Sequence, residues 1–216
     1  VIAAGRTDRG VHARGQVIAF DSVWKHPTTD LWRAVNANLP PDIALVDLQE
    51  AQADFHPRFD ALSRRYVYQF YTAPVRNPLW DRYSWHIGSK IDLPTMQTAA
   101  DYLIGEHDFA TFGQPPKGTN TIRQVYEARC LGGENGFYQF AIEANAFLTH
   151  MVRSIMGILA EVGRGWISVA MFAEAFAAAE RSRGGTIAPP HGLILDKVRY
   201  RGETALEDRQ EEVHES

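Results

Sequence analysis

The chain has 216 residues, of which 45% are hydrophobic and 22% charged, with a net charge of −4. That is the balance of an ordinary soluble globular protein with ample material for a core, and no apolar run approaches the roughly 18 residues that a membrane span needs. A single cysteine, Cys130, excludes an intrachain disulfide and any multi-cysteine metal site, and suits a reducing cytoplasm. The charge is uneven. Residues 203–216 carry six acids and one base, so the rest of the chain is close to neutral at +1. A near-neutral body can still present a basic cleft, because binding depends on local clustering. The tail has almost no apolar residues and is expected to be disordered.

The chain opens in a short apolar run, Val1-Ile2-Ala3-Ala4, that reads as the end of a strand. Next comes Gly5-Arg6-Thr7-Asp8-Arg9-Gly10-Val11-His12-Ala13-Arg14-Gly15-Gln16. Its three glycines rule out a regular helix or a long strand. Gln16–Asp21 then has strand composition, so Asp8 lies in a Gly-rich loop between strands, among Arg6, Arg9 and Arg14. Nearby arginines favour the ionised carboxylate, which makes Asp8 a candidate nucleophile or electrostatic stabiliser. On residue chemistry alone, an Asp that accepts hydrogen bonds from its own turn is the commoner case.

Pro27-Thr28-Thr29-Asp30 begins a helix with Leu31, Trp32 and Val35 on one side, and Pro40-Pro41 stops it. Ile43–Leu48 reads as a buried strand. In Ser63–Tyr71 the residues Tyr66, Tyr68 and Phe70 alternate with Arg65, Val67, Gln69 and Tyr71, the period of a strand. Arginines beside aromatics suit RNA, since guanidinium groups pair with phosphate and both groups stack on bases; an ordinary core strand has the same pattern. Residues 72–91 read as a connection. Asp92 caps a helix with Pro94 in its first turn and Met96, Ala99, Ala100 and Leu103 along one side. Beyond a polar loop at 113–121, Arg123 is a candidate phosphate binder. Strand-like runs follow at 123–130 and 138–144.

Met151, Ile155, Leu159 and Val162 form the core stripe of a third helix, in which Arg153 is the residue that does not fit a core; the alternative is an arginine that snorkels to solvent. Ser168 caps a fourth helix, and Leu193–Tyr200 closes the ordered part as a strand. Strands outnumber helices without strict alternation, which predicts an α+β fold with a mainly antiparallel sheet.

The motif from Gly5 to Gln16 resembles the signature of the tRNA pseudouridine synthase A family. Further resemblances lie in Phe55-His56-Pro57-Arg58-Phe59, in Arg65-Tyr66-Val67-Tyr68, in Gly105–Phe109, in the run from Asn145 to Arg153 and in Gly192–Leu195. Together they reach nearly to Tyr200. The resemblance implies two related α/β halves sharing one sheet with a central active-site cleft, here 1–64 and 65–202, followed by the acidic tail 203–216. It implies isomerisation of uridine to pseudouridine in the anticodon stem-loop of tRNA, without a cofactor or a metal.

By the same resemblance Asp8 is the catalytic carboxylate, attacking covalently or stabilising the cleaved glycosidic bond. Arg6 holds the flipped nucleotide or fills the space it vacates. Tyr66 stacks on the base, Arg153 pairs with Asp8, and Leu193 supports the base from below. Phe55, His56, Arg58 and Phe59 belong to a segment that contacts tRNA. A homodimer in the cytoplasm is implied as well. Family members carry residues ahead of the Asp motif, including a strand with a G-W-Q-type segment, so this chain is expected to be truncated. The alternatives are a non-catalytic RNA-binding module and an inactive truncated synthase. A hydrolase built on Asp8 lacks the second carboxylate or the metal such chemistry needs.

Overall fold

A computed structural model of the chain describes residues 1–132 and 135–201. The acidic stretch 203–216, expected to be disordered, lies outside the described residues. In chain order the elements are β1 (Ile2–Ala3), β2 (His12–Ala13), β3 (Ile18–Ala19), α1 (Thr28–Asn38), β4 (Ser63–Thr72), β5 (Trp85–Ile87) and α2 (Leu93–Asp101). Then follow β6 (Gly105–Asp108), β7 (Ile122–Gly132), β8 (Phe137–Ala144), α3 (Met151–Gly163), α4 (Val169–Ala177) and β9 (Leu193–Arg199).

β4 is the strand on which the main sheet is built. On one side it pairs antiparallel with β8, so that Tyr66, Tyr68 and Phe70 lie opposite Ile142, Phe140 and Tyr138. On the other side it pairs antiparallel with β9, with Tyr66 opposite Leu195 and Tyr68 opposite Leu193. The order is β2-β9-β4-β8-β7-β6, and β5 continues the β9 side of β4 at Phe70–Thr72. A register shift between Arg65 and Tyr66 bends β4 at the residue that turns toward the cleft. β1 and β3 form a separate antiparallel pair.

The fold is α+β as expected, but the sheet is mixed rather than mainly antiparallel. β2 runs parallel to β9 and β5 runs parallel to β4. These strands are only two and three residues long, too short to carry a period. A parallel partner also requires a crossover of about a dozen residues, and the stretch expected to be a plain connection supplies one at 73–84. Gly105–Asp108, within one of the segments that resemble the family, is the edge strand β6 on β7.

Ile43–Leu48 is not a strand, and Ile43 and Val46 are exposed. Its backbone bonds to α1 instead of to a neighbouring strand. Asn36 brackets Leu45 through both amide atoms, at 2.8 and 2.9 Å, and Trp32 Nε1 donates to the Leu45 carbonyl at 2.8 Å. No residue of α1 is buried.

The helices earn their boundaries locally. The Asp92 side chain accepts from Thr95 N at the start of α2, and the Ser168 hydroxyl accepts from Met171 N at the start of α4. The core lies where α2, α3 and α4 meet the sheet face bearing Tyr66, Tyr68 and Phe70. Phe109, Phe112, Phe172 and Phe176 pack together there, with ring centroids 5.1–6.5 Å apart. Burying each such ring is worth roughly 1.5–3 kcal/mol. Every residue of α3 except Arg153 and Glu161 is buried, so this helix is a rigid post from which its first turn projects.

Candidate active site

The Gly-rich loop is an excursion between β1 and β3, closed at its base by one side chain. Gln16 Nε2 donates to the Gly5 carbonyl at 2.9 Å, and Gln16 Oε1 accepts from Gly5 N at 3.2 Å. The far limb of the loop is fastened to β9. Arg14 N and Gly15 N both donate to the Leu195 carbonyl, at 2.8 and 3.1 Å, and a Cβ on Gly15 would lie 2.2 Å from the Asp196 carbonyl oxygen. Only glycine permits that approach. Asp196 then ties Arg14 and Arg65 together, each at 2.8 Å. Within the loop, the Asp8 carbonyl accepts from Val11 N at 3.0 Å. The turn thus uses the backbone of Asp8 and leaves its carboxylate free.

That carboxylate meets the start of α3. Arg153, in the first turn, donates from NH1 to Asp8 Oδ2 at 2.6 Å and from Nε to the Ala188 carbonyl at 2.8 Å. Its side chain is only 15% exposed, so it does not snorkel to solvent. Ala188 N donates back to the Arg153 carbonyl at 3.0 Å, which seats the arginine from both ends. A hydrogen bond between charged groups of this kind contributes roughly 1.5–3 kcal/mol. The N-terminal end of a helix also favours a negative charge. His150, just before α3, brings Nε2 to 3.4 Å from the same Oδ2.

Around this pair lies a cleft of about 480 Å³. Asp8, Arg6, Arg58, Phe59, Arg64, Tyr66, Phe147, His150, Arg153 and Leu193 all line it. Tyr66 packs edge-on against Phe147, with centroids 5.0 Å apart, and its hydroxyl has no hydrogen-bond partner among the described residues. Burial pushes its phenol up to about 12; Arg64 opposes the shift and Asp8 adds to it. Tyr66 is therefore neutral at physiological pH and offers an O–H to whatever enters. Arg6 and Phe59 are exposed on the lining. Leu193, at the start of β9, is nearly buried.

The other expected contact residues lie off the cleft lining. Phe55 packs on Tyr200 at 5.3 Å. His56 Nδ1 accepts from Arg58 N and Phe59 N at 3.2 and 3.3 Å, so it shapes the turn that presents those two residues. Arg123 NH1 donates to the carbonyls of Asn120 and Ile122, and burial lowers its pKa.

Sequence reasoning places Arg64 among arginines beside aromatics that suit RNA and takes Gln16 and His150 only as parts of motifs, and it names none of the three as a site residue. Arg64 donates to the carbonyls of Ala4, Arg58, Ala61 and Asn145, joining the Asp8 loop, the 55–62 segment and the end of β8. Burial lowers its pKa. Neither its sequence neighbours nor those of His150 signal such contacts. Among the described residues no group of three or more His, Cys, Asp or Glu side chains could hold a metal ion, and no helix is long and apolar enough to cross a membrane.

Residues 99–201 match a family model described as tRNA pseudouridine synthase. A tRNA pseudouridine synthase A from Myxococcus xanthus is 40% identical over 202 residues, covering 93% of this chain and 76% of that protein. Proteins of the same name from Chloroflexus aurantiacus (strain ATCC 29366 / DSM 635 / J-10-fl) and Pseudothermotoga lettingae are 42% and 38% identical, over 73% and 82% of their own lengths. The chain belongs to the tRNA pseudouridine synthase A family. It is thereby an isomerase. Within this synthase family member the model match includes β7, β8, α3, α4 and β9, and so Arg153 and Leu193. The Asp8 loop lies before the matched range.

Proposed function

We propose that this chain isomerises uridine to pseudouridine in the anticodon stem-loop of tRNA, with Asp8 as the group that acts at the ribose C1′. The observation that carries the reading is the 2.6 Å contact between Asp8 and Arg153, in a cleft that Tyr66 also lines. A protein that only bound RNA would gain nothing from a carboxylate among phosphates, whereas a glycosidic carbon developing positive charge needs one. Electrostatic stabilisation of developing charge is usually the largest catalytic contribution.

The target uridine first leaves the stack, at a cost of a few kcal/mol. Arg6 and Arg58 engage its phosphates, with Arg6 holding the flipped nucleotide or filling its vacated space. Tyr66 stacks on the uracil and Leu193 supports it. Asp8 acts on C1′ as the N1–C1′ bond breaks. The uracil turns within the cleft and C5 bonds to C1′; the hydrogen on C5 leaves to solvent as a proton and N1 takes one up. No electrons are gained or lost, so the balance requires no redox partner. Arg153 keeps Asp8 oriented throughout.

The same reading divides the chain into an N-terminal catalytic half, 1–64, which supplies Asp8, and a second half, 65–202, which supplies Arg153. It also takes Phe55, His56 and Arg123 as part of a wider tRNA contact surface, the working protein as a homodimer, and its compartment as the cytoplasm.

The test is tritium release from tRNA transcripts labelled at uridine C5, comparing the chain with Asp8→Ala. Release from the wild type that falls to background in the variant, with tRNA retained on a filter by both, is the expected result. Undiminished release by Asp8→Ala would overturn the role of Asp8. Binding without release by the wild type would favour an RNA-binding module.

A further inference from the structure

We propose that His150 is a positioning residue for Asp8: together with Arg153 it occupies one carboxylate oxygen, Oδ2, and leaves Oδ1 as the reacting oxygen. The inference rests on Asp8 being the group that acts at C1′. Its starting point is a backbone outlier. His150 has φ 65° and ψ 2°, in the left-handed region. Two other non-glycine residues among those described share a positive φ, Asn135 and Ala179. Ala179 directly follows the C-cap of α4, where left-handed backbone is the usual way to end a helix. His150 precedes a helix, where extended backbone is usual, and its side chain makes no capping hydrogen bond.

The conformation is imposed from both sides. Thr149 N donates to the Gln114 carbonyl at 3.0 Å, and Ser154 N donates to the His150 carbonyl at 2.9 Å. Gly113 is packed so closely on Leu148 that a Cβ there would lie 2.5 Å from the Leu148 Cβ. Glycine would satisfy this backbone at least cost. A histidine held there gains something from its side chain, and strain of this kind clusters at functional sites. What the conformation achieves is to bring Nε2 to 3.4 Å from Asp8 Oδ2, while Arg153 NH1 sits 2.6 Å from the same atom. Asp8 Oδ1 accepts no hydrogen bond from the described residues. The Arg153 hydrogen bond and the imidazole edge beside it crowd Oδ2 and leave the lone pairs of the other oxygen available. Ionisable groups of β4 also face this site, Tyr66 toward Asp8 and Tyr68 toward Arg153.

Because His150 acts through Asp8, its loss should slow the chemical step and leave tRNA affinity unchanged. The experiment compares wild type, His150→Gly, His150→Asn and Asp8→Ala in single-turnover tritium release, with tRNA binding and thermal unfolding measured alongside. His150→Gly relaxes the backbone, so its unfolding temperature should hold or rise while the rate falls by about tenfold. His150→Asn tolerates the left-handed region and carries an N–H donor, so it should recover most of the rate. A wild-type rate for His150→Gly overturns the proposal. So does a rate loss accompanied by a lower unfolding temperature and no rescue by Asn, which would mean a structural role. Turnover by Asp8→Ala would instead overturn the reading of Asp8.

Discussion

Replacing Gly157 by alanine is expected to damage catalysis more than folding. Gly157 lies on α3 one turn beyond Arg153, and a Cβ there would sit 1.7 Å from the Thr186 carbonyl oxygen and 2.9 Å from its carbon. Real Cβ contacts are essentially never below 3.0 Å, so the oxygen must retreat by at least 1.3 Å. α3 is packed on nearly every side, so the segment at 186–188 is what moves. That segment carries the Ala188 carbonyl that fixes Arg153 Nε and the Ala188 amide that bonds the Arg153 carbonyl. Overpacking costs about 1–3 kcal/mol, and the helix preference of alanine over glycine returns about 1 kcal/mol. The net loss of roughly 0–2 kcal/mol corresponds to a fall in unfolding temperature of no more than about 8 °C. A displacement of about 1 Å at a catalytic group, by contrast, costs on the order of 100-fold in rate. Single-turnover tritium release at a temperature where both proteins are folded should therefore show a loss of about 10- to 100-fold. A variant with the wild-type rate would refute the argument that 186–188 seats Arg153.

Two further outcomes follow from the same geometry. Gln16→Ala removes both hydrogen bonds to Gly5, a loss of about 1–3 kcal/mol, and should speed tryptic cleavage within Arg6–Arg14; unchanged cleavage would show that the β1–β3 pair closes the loop alone. Tyr66 has its pKa raised from 10.0 to about 12 by burial, so the folded state holds the phenol proton more tightly than the unfolded chain does. Its contribution, roughly 2–3 kcal/mol, is complete below pH 10 and is lost as pH rises through about 12. Tyr66→Phe should flatten that alkaline decline in denaturant unfolding between pH 9 and 12, leaving the share due to Tyr68, whose phenol burial also raises. Equal declines in both proteins would refute the assignment.

Elements with strong local signals were legible in the sequence. The Asp92 and Ser168 caps mark α2 and α4, and the alternation of Tyr66, Tyr68 and Phe70 marks β4, because capping and pleating act over a few residues. Asp8 could be named because it sits in a long ungapped motif, whereas Tyr66, Arg153 and Leu193 could be named only because shorter segments resemble the same family. The expected strand at 43–48 failed for a physical reason: its composition suits a sheet, but its nearest hydrogen-bonding groups are the side chains of Trp32 and Asn36 on α1.

By itself, then, the sequence determined the α+β composition, the helix ends, the Gly-rich loop and the residue types of the site. Only the tertiary structure decided which of them meet. Asp8 and Arg153 stand 145 positions apart, and their contact follows from fastening the loop to β9 and α3 to the 186–188 segment. The parallel pairings of β2 and β5, the carbonyl contacts of Arg64 and the left-handed backbone of His150 arise in the same way. Each depends on where distant backbone lies in space, and local sequence has no means of encoding that except through the packing of the whole.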